Sequence, residues 1–321
     1  MTTHNGARHL VEQLDSIAAQ HYQPIEVVIG DDASTDASLE LLSSFSAQAG
    51  FPVRIQRHEQ QLGLRRNLES VLRSCHGSVI VLADQDDVWA ASRLDTIVSA
   101  FTSDPATTLW FSQAGLIDGS GRPLGRTTWD AVHLTPEVAN ELSRGAQLRR
   151  LLFGMTITGA TMAFRASVLT TALPLPEELD GPDHLFLHDG WIAVLSAALG
   201  RTIAEPRLLS SYRQHAGQVT GMSMTAPAHD GDDPTPSREL RQESARLGLV
   251  LGRLRERGVL ERCRPDARDA LLDLEQFFSS RLAPVSDWGR LPGIAARVWD
   301  GSYRRHARGL RTAIGDLIRP L

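Results

Sequence analysis

Lysine is missing from this chain: all 33 basic side chains are arginine. We read that as codon bias in a GC-rich genome, not as function. Only two cysteines occur, Cys75 and Cys263. They lie too far apart for metal-ligand spacing and read as free thiols of a reducing compartment. No run of about 18 apolar residues appears, which excludes a spanning helix from expectation. No basic-then-apolar leader opens the sequence either. A cytoplasmic protein is expected.

What is present is a chain of 321 residues, 42% hydrophobic, enough for one large domain or a domain plus an extension. Its net charge of −5 is unevenly spread. Residues 1–237 carry 16 Arg against 27 acids, and residues 238–321 carry 17 Arg against 11. An acidic body argues against nucleic acid as a partner and suits a cation site. The basic tail, with Trp288, Trp299 and Tyr303, suits an anionic bilayer surface or a helical cap packed on the body.

Apolar periodicity places helices at 7–20, 37–48, 64–75 and 90–101. Between them run short apolar stretches, "IEVVIG", "VRIQ" and "SVIVLAD". Alternating strands and helices predict an α/β sheet, largely parallel in this half, whose ligands gather beyond the strand carboxyl ends. Further on, "TLWFSQAGLIDGSGRPLG" predicts strands around a turn, "TITGATMAFRASVL" a strand then a helix, "HDGWIAVLSAALG" a helix stopped by Gly200, and "RLLSSYRQH" a last strand. Three segments result: residues 1–224, a Pro-rich linker at 225–237, and a basic helical extension at 238–321.

Asp84-Gln85-Asp86 stands at the mouth of a predicted buried strand. Gathered carboxylates repel, and a divalent cation relieves that repulsion; hard oxygen ligands suit Mg²⁺ or Mn²⁺. The plainer alternative is a solvated turn with Asp87 capping the next helix. Asp31-Asp32 ends an earlier strand, where a carboxylate can accept a pyrimidine imide N–H or cap a helix with Asp36. Asp189, after His188 at a helix start, is placed to take a proton or to cap. Arg213 and His215 in "YRQH" suit phosphate and metal, although a loop histidine is also at home in solvent.

Taken in order, "THNGARHLVEQLDSI", "DDASTD", "GLRRNLESVL", "ADQDDVW", "ITGATMAFR", "HDGWIA" and "YRQH" resemble glycosyltransferase family 2, nearest its rhamnosyltransferase-like bacterial members. The resemblance implies a GT-A fold and inverting transfer from a nucleoside-diphosphate sugar, of the dTDP or UDP type, to a glycan or polyprenyl-linked acceptor. It implies Asp189 as catalytic base, Asp32 as the base-recognition acid, and Asp84, Asp86 and His215 about the metal. Asn5, Arg66, Asn67, Asp84, Trp89, His188, Trp191 and Arg213 fall along the substrate side. Nucleotidyl transfer, or a degenerate sugar-nucleotide-binding role, is the alternative.

One departure stands out. Only Met1-Thr2-Thr3 precedes "HNGARHL", so the apolar first strand is expected to be missing. Upstream coding sequence is then expected to supply about five to eight apolar residues.

Overall fold

The structure is a computed structural model describing residues 1–143, 148–154, 157–180, 185–216, 218, 236–282, 293–296, 298–299 and 301–302. In chain order, the first half runs β1 (Thr2–Thr3), α1 (Ala7–Ala18), β2 (Val27–Asp31), α2 (Ser38–Gln48), β3 (Val53–Arg57), α3 (Leu64–Arg73), β4 (Val79–Val81), β5 (Val88–Trp89) and α4 (Arg93–Ser103). Then follow β6 (Thr107–Asp118), β7 (Pro123–Thr127), α5 (Thr128–Ala131), α6 (Pro136–Ser143), α7 (Leu148–Phe153), β8 (Met162–Arg165), α8 (Leu169–Ala172), α9 (His188–Leu199) and β9 (Arg201–Gln214). The extension holds α10 (Pro236–Glu256) and α11 (Pro265–Leu282).

The expected alternation is observed, and the strands pair as two sheets. Strands β1, β2 and β3 form a parallel sheet in that order. The second sheet, β4-β8-β6-β9-β5 with β7 on β6, is mixed: only β6 with β9 is parallel. Helices cover it on two sides. Leu10, Leu14, Ile17, Leu42, Ile97 and Phe101 of α1, α2 and α4 share one core with Ile29 and Trp110. Leu68 and Leu72 of α3 and Trp191 of α9 share the other with Phe111 and Phe164. Leu247, Leu251, Leu271 and Phe278 belong to that second core, so α10 and α11 are packed on the body rather than tethered to it. Most of the predicted linker and basic tail, with Trp288 and Tyr303, lies outside the described residues.

Where the first strand is expected, two residues are strand, Thr2 and Thr3. Met1 to Thr3 pair with β2: Gly30 N donates to Met1 O at 3.0 Å and Asp32 N to Thr3 O at 2.8 Å. Backbone pairing does not need an apolar side chain. The one buried hydroxyl, Thr3 Oγ1, is satisfied by donating to Asp31 Oδ2 at 3.0 Å. Two further loops converge on the end of β1. Asn5 Oδ1 accepts from Thr35 N, and Gln85 Oε1 accepts from His4 N at 3.0 Å. The Gln85 side chain passes so near Gly6 that a Cβ there would lie 2.2 Å from Oε1.

Helix α9 stops at Gly200, as expected, but for a steric reason. Gly200 is extended, and a Cβ on it would meet Ala106 O at 2.6 Å and Thr108 Cγ2 at 2.4 Å. Thr108 cannot easily turn aside, because its Oγ1 donates to Ser196 O at 2.6 Å. Gly200→Ala is expected to lower stability by about 1–3 kcal/mol through overpacking. Urea denaturation measures this, and an unchanged midpoint would show that the α9–β9 junction yields.

Candidate active site

Four carboxylates meet beyond β4 and at the start of α9. Asp84 is half-buried, while Asp86, Asp87 and Asp189 are buried. Burial, then the charge of Asp86, push Asp84 up to about 6; Asp189 adds to the shift and His188 opposes it. Asp87 is pushed well above the usual carboxylate range by burial and by Asp84 and Asp86. It does not cap α4, whose first turn follows Ser92. Instead its Oδ1 accepts from Arg213 N at 2.9 Å, and its Oδ2 has no partner among the described residues.

His215 reaches this cluster from the end of β9. Its Nε2 lies 2.8 Å from Asp86 Oδ2. Adjacent ligands of a six-coordinate ion with bonds of about 2.1 Å sit about 3 Å apart, so this pair fits two neighbouring positions of Mg²⁺ or Mn²⁺. No cluster of three such ligands occurs among the described residues. The donor set therefore suits an ion that keeps waters or substrate oxygens. Asp189 opens α9, where its Oδ2 accepts from Gly159 N at 2.9 Å and its Oδ1 from Gly190 N at 2.7 Å. These bonds fix its orientation, and His188 stands beside it within reach of Gly159.

Arg213 was expected at a phosphate. It is buried, and its guanidinium is engaged along every edge: Nε donates to Asp86 O at 2.6 Å, Nη1 to Asp118 O at 3.5 Å, and Nη2 pairs with Glu12. It clamps the acid loop. Asp32 is buried at the end of β2, with Leu62 N on Oδ1 at 2.6 Å and Gly63 N on Oδ2 at 3.0 Å. It holds the loop before α3, and each oxygen keeps one acceptor site.

Several residues that the resemblance put along the substrate side are built into the scaffold. Asn67 is buried, donating to Gly30 O at 2.9 Å and facing His58 at 3.1 Å. Trp191 is wholly buried, its Nε1 donating to Ala172 O. Trp89 is buried in the core behind the acids. Asn5 ties two loops together, with φ of 48°. Arg66 is exposed on α3.

Sequence reasoning missed Arg93, His9 and Glu12. Arg93 is fully buried, stacked 4.6 Å over Trp89, with Nη2 donating to Ala160 O at 2.8 Å. Burial lowers it to about 10, and the fields of Asp87 and Asp84 resist that fall. His9 lies with its ring 5.0 Å from that of His215. Nothing local marks any of the three, which read as ordinary polar positions of α1 and α4. Missed too was β5, whose two residues pair with Ser210 and Ser211 and fasten the acid loop to β9.

Residues 1–169 match the domain model of glycosyl transferase family 2, and the chain belongs to that family. It is 27% identical over 218 residues to an uncharacterized glycosyltransferase of Nostoc sp., covering 67% of this chain and 63% of that protein. Over 94 residues it is 31% identical to glycosyltransferase GlyG of Streptococcus pneumoniae, covering 29% of this chain and 31% of GlyG. The chain thus spans less than two thirds of these relatives' lengths. A crystal structure of S. aureus TarS 1–349 in complex with UDP-GlcNAc shares the fold, with a TM-score of 0.55 and 17% identity, over 95% of this chain and 90% of that one. The expected GT-A class, a mixed α/β fold with a helical C-terminal part, is thereby shown.

The raised Asp84 sets a pH dependence. Its folded value of about 6 exceeds its unfolded one, so the native state holds the extra proton in the window between them. That stability is present in acid and is lost as pH rises through about 6. In EDTA, the Tm of the wild type relative to Asp84→Asn is expected to fall from pH 5 to pH 7.5. Parallel profiles for the two proteins would remove Asp84 as the cause.

Proposed function

We propose that the chain transfers a sugar from a nucleoside-diphosphate sugar to a hydroxyl acceptor, with inversion. The observation that carries this reading is the Asp86–His215 pair at 2.8 Å, sharing one cluster with Asp84 and an oriented Asp189. Family membership supports it. Asp86 and His215 would hold Mg²⁺ or Mn²⁺, with the charge of Asp84 beside them. Once bound, such an ion offsets the charge of the departing diphosphate.

The chain's own residues do the rest. Asp32 offers its remaining lone pairs to the imide N–H of a uracil or thymine base. Asp189, aimed by the Gly159 and Gly190 amides, takes the acceptor hydroxyl's proton as oxygen attacks the anomeric carbon from the face opposite the leaving group. Arg213 and Glu12 keep the backbone of Asp86 in place. Among donors, dTDP-rhamnose is the finer reading, resting on the likeness of "HDGWIA" and "YRQH" to rhamnosyltransferase-like sequences. The acceptor is read as a cell-surface glycan or its polyprenyl-linked precursor, met at the inner face of the cytoplasmic membrane. Trp299, 95% exposed in the basic tail, supports contact there. No helix among the described residues is long and apolar enough to cross a membrane.

Asp86→Ala is expected to fold and to lose Mn²⁺-dependent binding of UDP or dTDP, read by thermal shift across a panel of sugar nucleotides. Retained metal-dependent binding would take Asp86 out of the site. Asp189→Asn is expected to bind donor normally and to lower transfer by about 10²–10⁴-fold, the usual weight of a general base. The assay follows free nucleoside diphosphate; release of pyrophosphate instead would point to nucleotidyl transfer, and near-normal turnover would exclude Asp189 as the base.

A further inference from the structure

Arg93 opens α4 and is wholly buried, yet most of its guanidinium is unspent. Nη2 donates to Ala160 O at 2.8 Å, while Nε and Nη1 are shielded from solvent and have no partner among the described residues. Burial lowers Arg93 to about 10, with the fields of Asp87 and Asp84 opposing the fall, so it remains a cation at neutral pH. A buried charge with so few bonds is costly. An apolar side chain of similar volume would pack the start of α4 at less cost.

Its two contacts belong to the two halves of the candidate site. The guanidinium stacks 4.6 Å over Trp89, two residues after Asp87, and Trp89 is fastened to β9 through β5. Its hydrogen bond goes to a single 3₁₀ turn, Gly159–Thr161. The adjacent residue of that turn, Gly159, donates its N–H to Asp189 Oδ2 at 2.9 Å. Any shift of the turn is felt at once by its neighbours: a Cβ on Gly159 would lie 3.4 Å from His188 Nε2 and 3.6 Å from Asp189 Cβ.

The geometry points to Arg93 as a positioning residue: through the Ala160 carbonyl it fixes the Gly159 turn, and so where the Asp189 carboxylate stands relative to the acid loop. The inference rests on Asp189 being the base of the proposed transfer. In that reaction the hydroxyl attacks one face of the anomeric carbon while the diphosphate leaves from the other, so base and cation site must keep one spacing. A planar guanidinium can lay its face on Trp89 and donate from its edge at the same time, which an ammonium cannot.

Three readouts on the full chain test this. Turnover of a panel of UDP- and dTDP-sugars with Mn²⁺ is expected to fall about 10–10²-fold in Arg93→Met, the scale of a small misplacement. Calorimetric binding of UDP with Mn²⁺ is expected to stay as in wild type, because Arg213 still holds Asp86. Amide hydrogen exchange in peptides spanning 157–161 is expected to quicken about tenfold, as the turn opens more often. Arg93→Lys keeps the charge without the fork; it is expected to fall between wild type and Arg93→Met, and it carries the test alone if Arg93→Met does not fold. A purely structural Arg93 predicts a lower Tm with turnover unchanged below the melt. Exchange needs no turnover: if wild type transfers no sugar, quickened exchange upholds the tie and sinks the transferase reading alone. Unchanged turnover in a folded variant of an active enzyme, unchanged exchange at 157–161, or UDP binding lost in step with turnover would each overturn the proposal.

Discussion

The buried guanidinium of Arg213 is the contact on which the candidate site depends. Asp84, Asp86 and Asp87 follow one another within four residues, and Asp189 is brought against them from α9. Left to themselves these groups would drive the loop into solvent. Arg213 prevents this in two ways. Its backbone N–H and Nε fix Asp87 and the Asp86 carbonyl, and its charge sits within the acid field. Arg93, equally buried, supplies a second positive charge from behind. Glu12 then balances Arg213 from α1, so a chain of alternating charge runs from the surface of α1 to the acids. The arrangement leaves one buried oxygen, Asp87 Oδ2, without a partner among the described residues and pushes Asp84 up to about 6. A site that keeps like charges together in this way is poised for a cation.

Much of this frame was legible in the sequence because it is local. Apolar periods of 3.6 and short β-branched runs fix α1 to α4 and β2 to β4. The acids then fall at strand ends by chain order alone. What was not legible is non-local. The antiparallel partners of β4, and the 14-residue span of β9, follow from pairings between segments more than 80 residues apart. A two-residue strand such as β5 has too few positions to show any period, though its pairing with β9 closes the loop. Thr2 and Thr3 likewise show no period, and they are held by backbone bonds and by one carboxylate on β2.

The resemblance to a family named residue types and could not separate those that face a ligand from those that hold the ones that do. Asn67, Trp89, Trp191 and Arg213 all sit in motif segments, and all four are buried and engaged by protein atoms or packed in the core. Their partners explain the grouping. Trp191 anchors the first turn of α9 to the end of α8, Arg213 anchors the acid loop, and Asn67 anchors the β2 end that carries Asp32. Asp86, Asp189 and Asp32 remain, each with acceptor capacity left beside its hydrogen bonds to the protein, and His215 faces Asp86. A motif in this chain is therefore two layers deep: a few side chains with free valence, each backed by a neighbour whose valence is spent on holding it. Positional likeness alone cannot tell the layers apart, because supporting and supported residues are adjacent in sequence. Counting the hydrogen bonds of each does, and it moves Arg213 from the ligand's side of the site to the protein's.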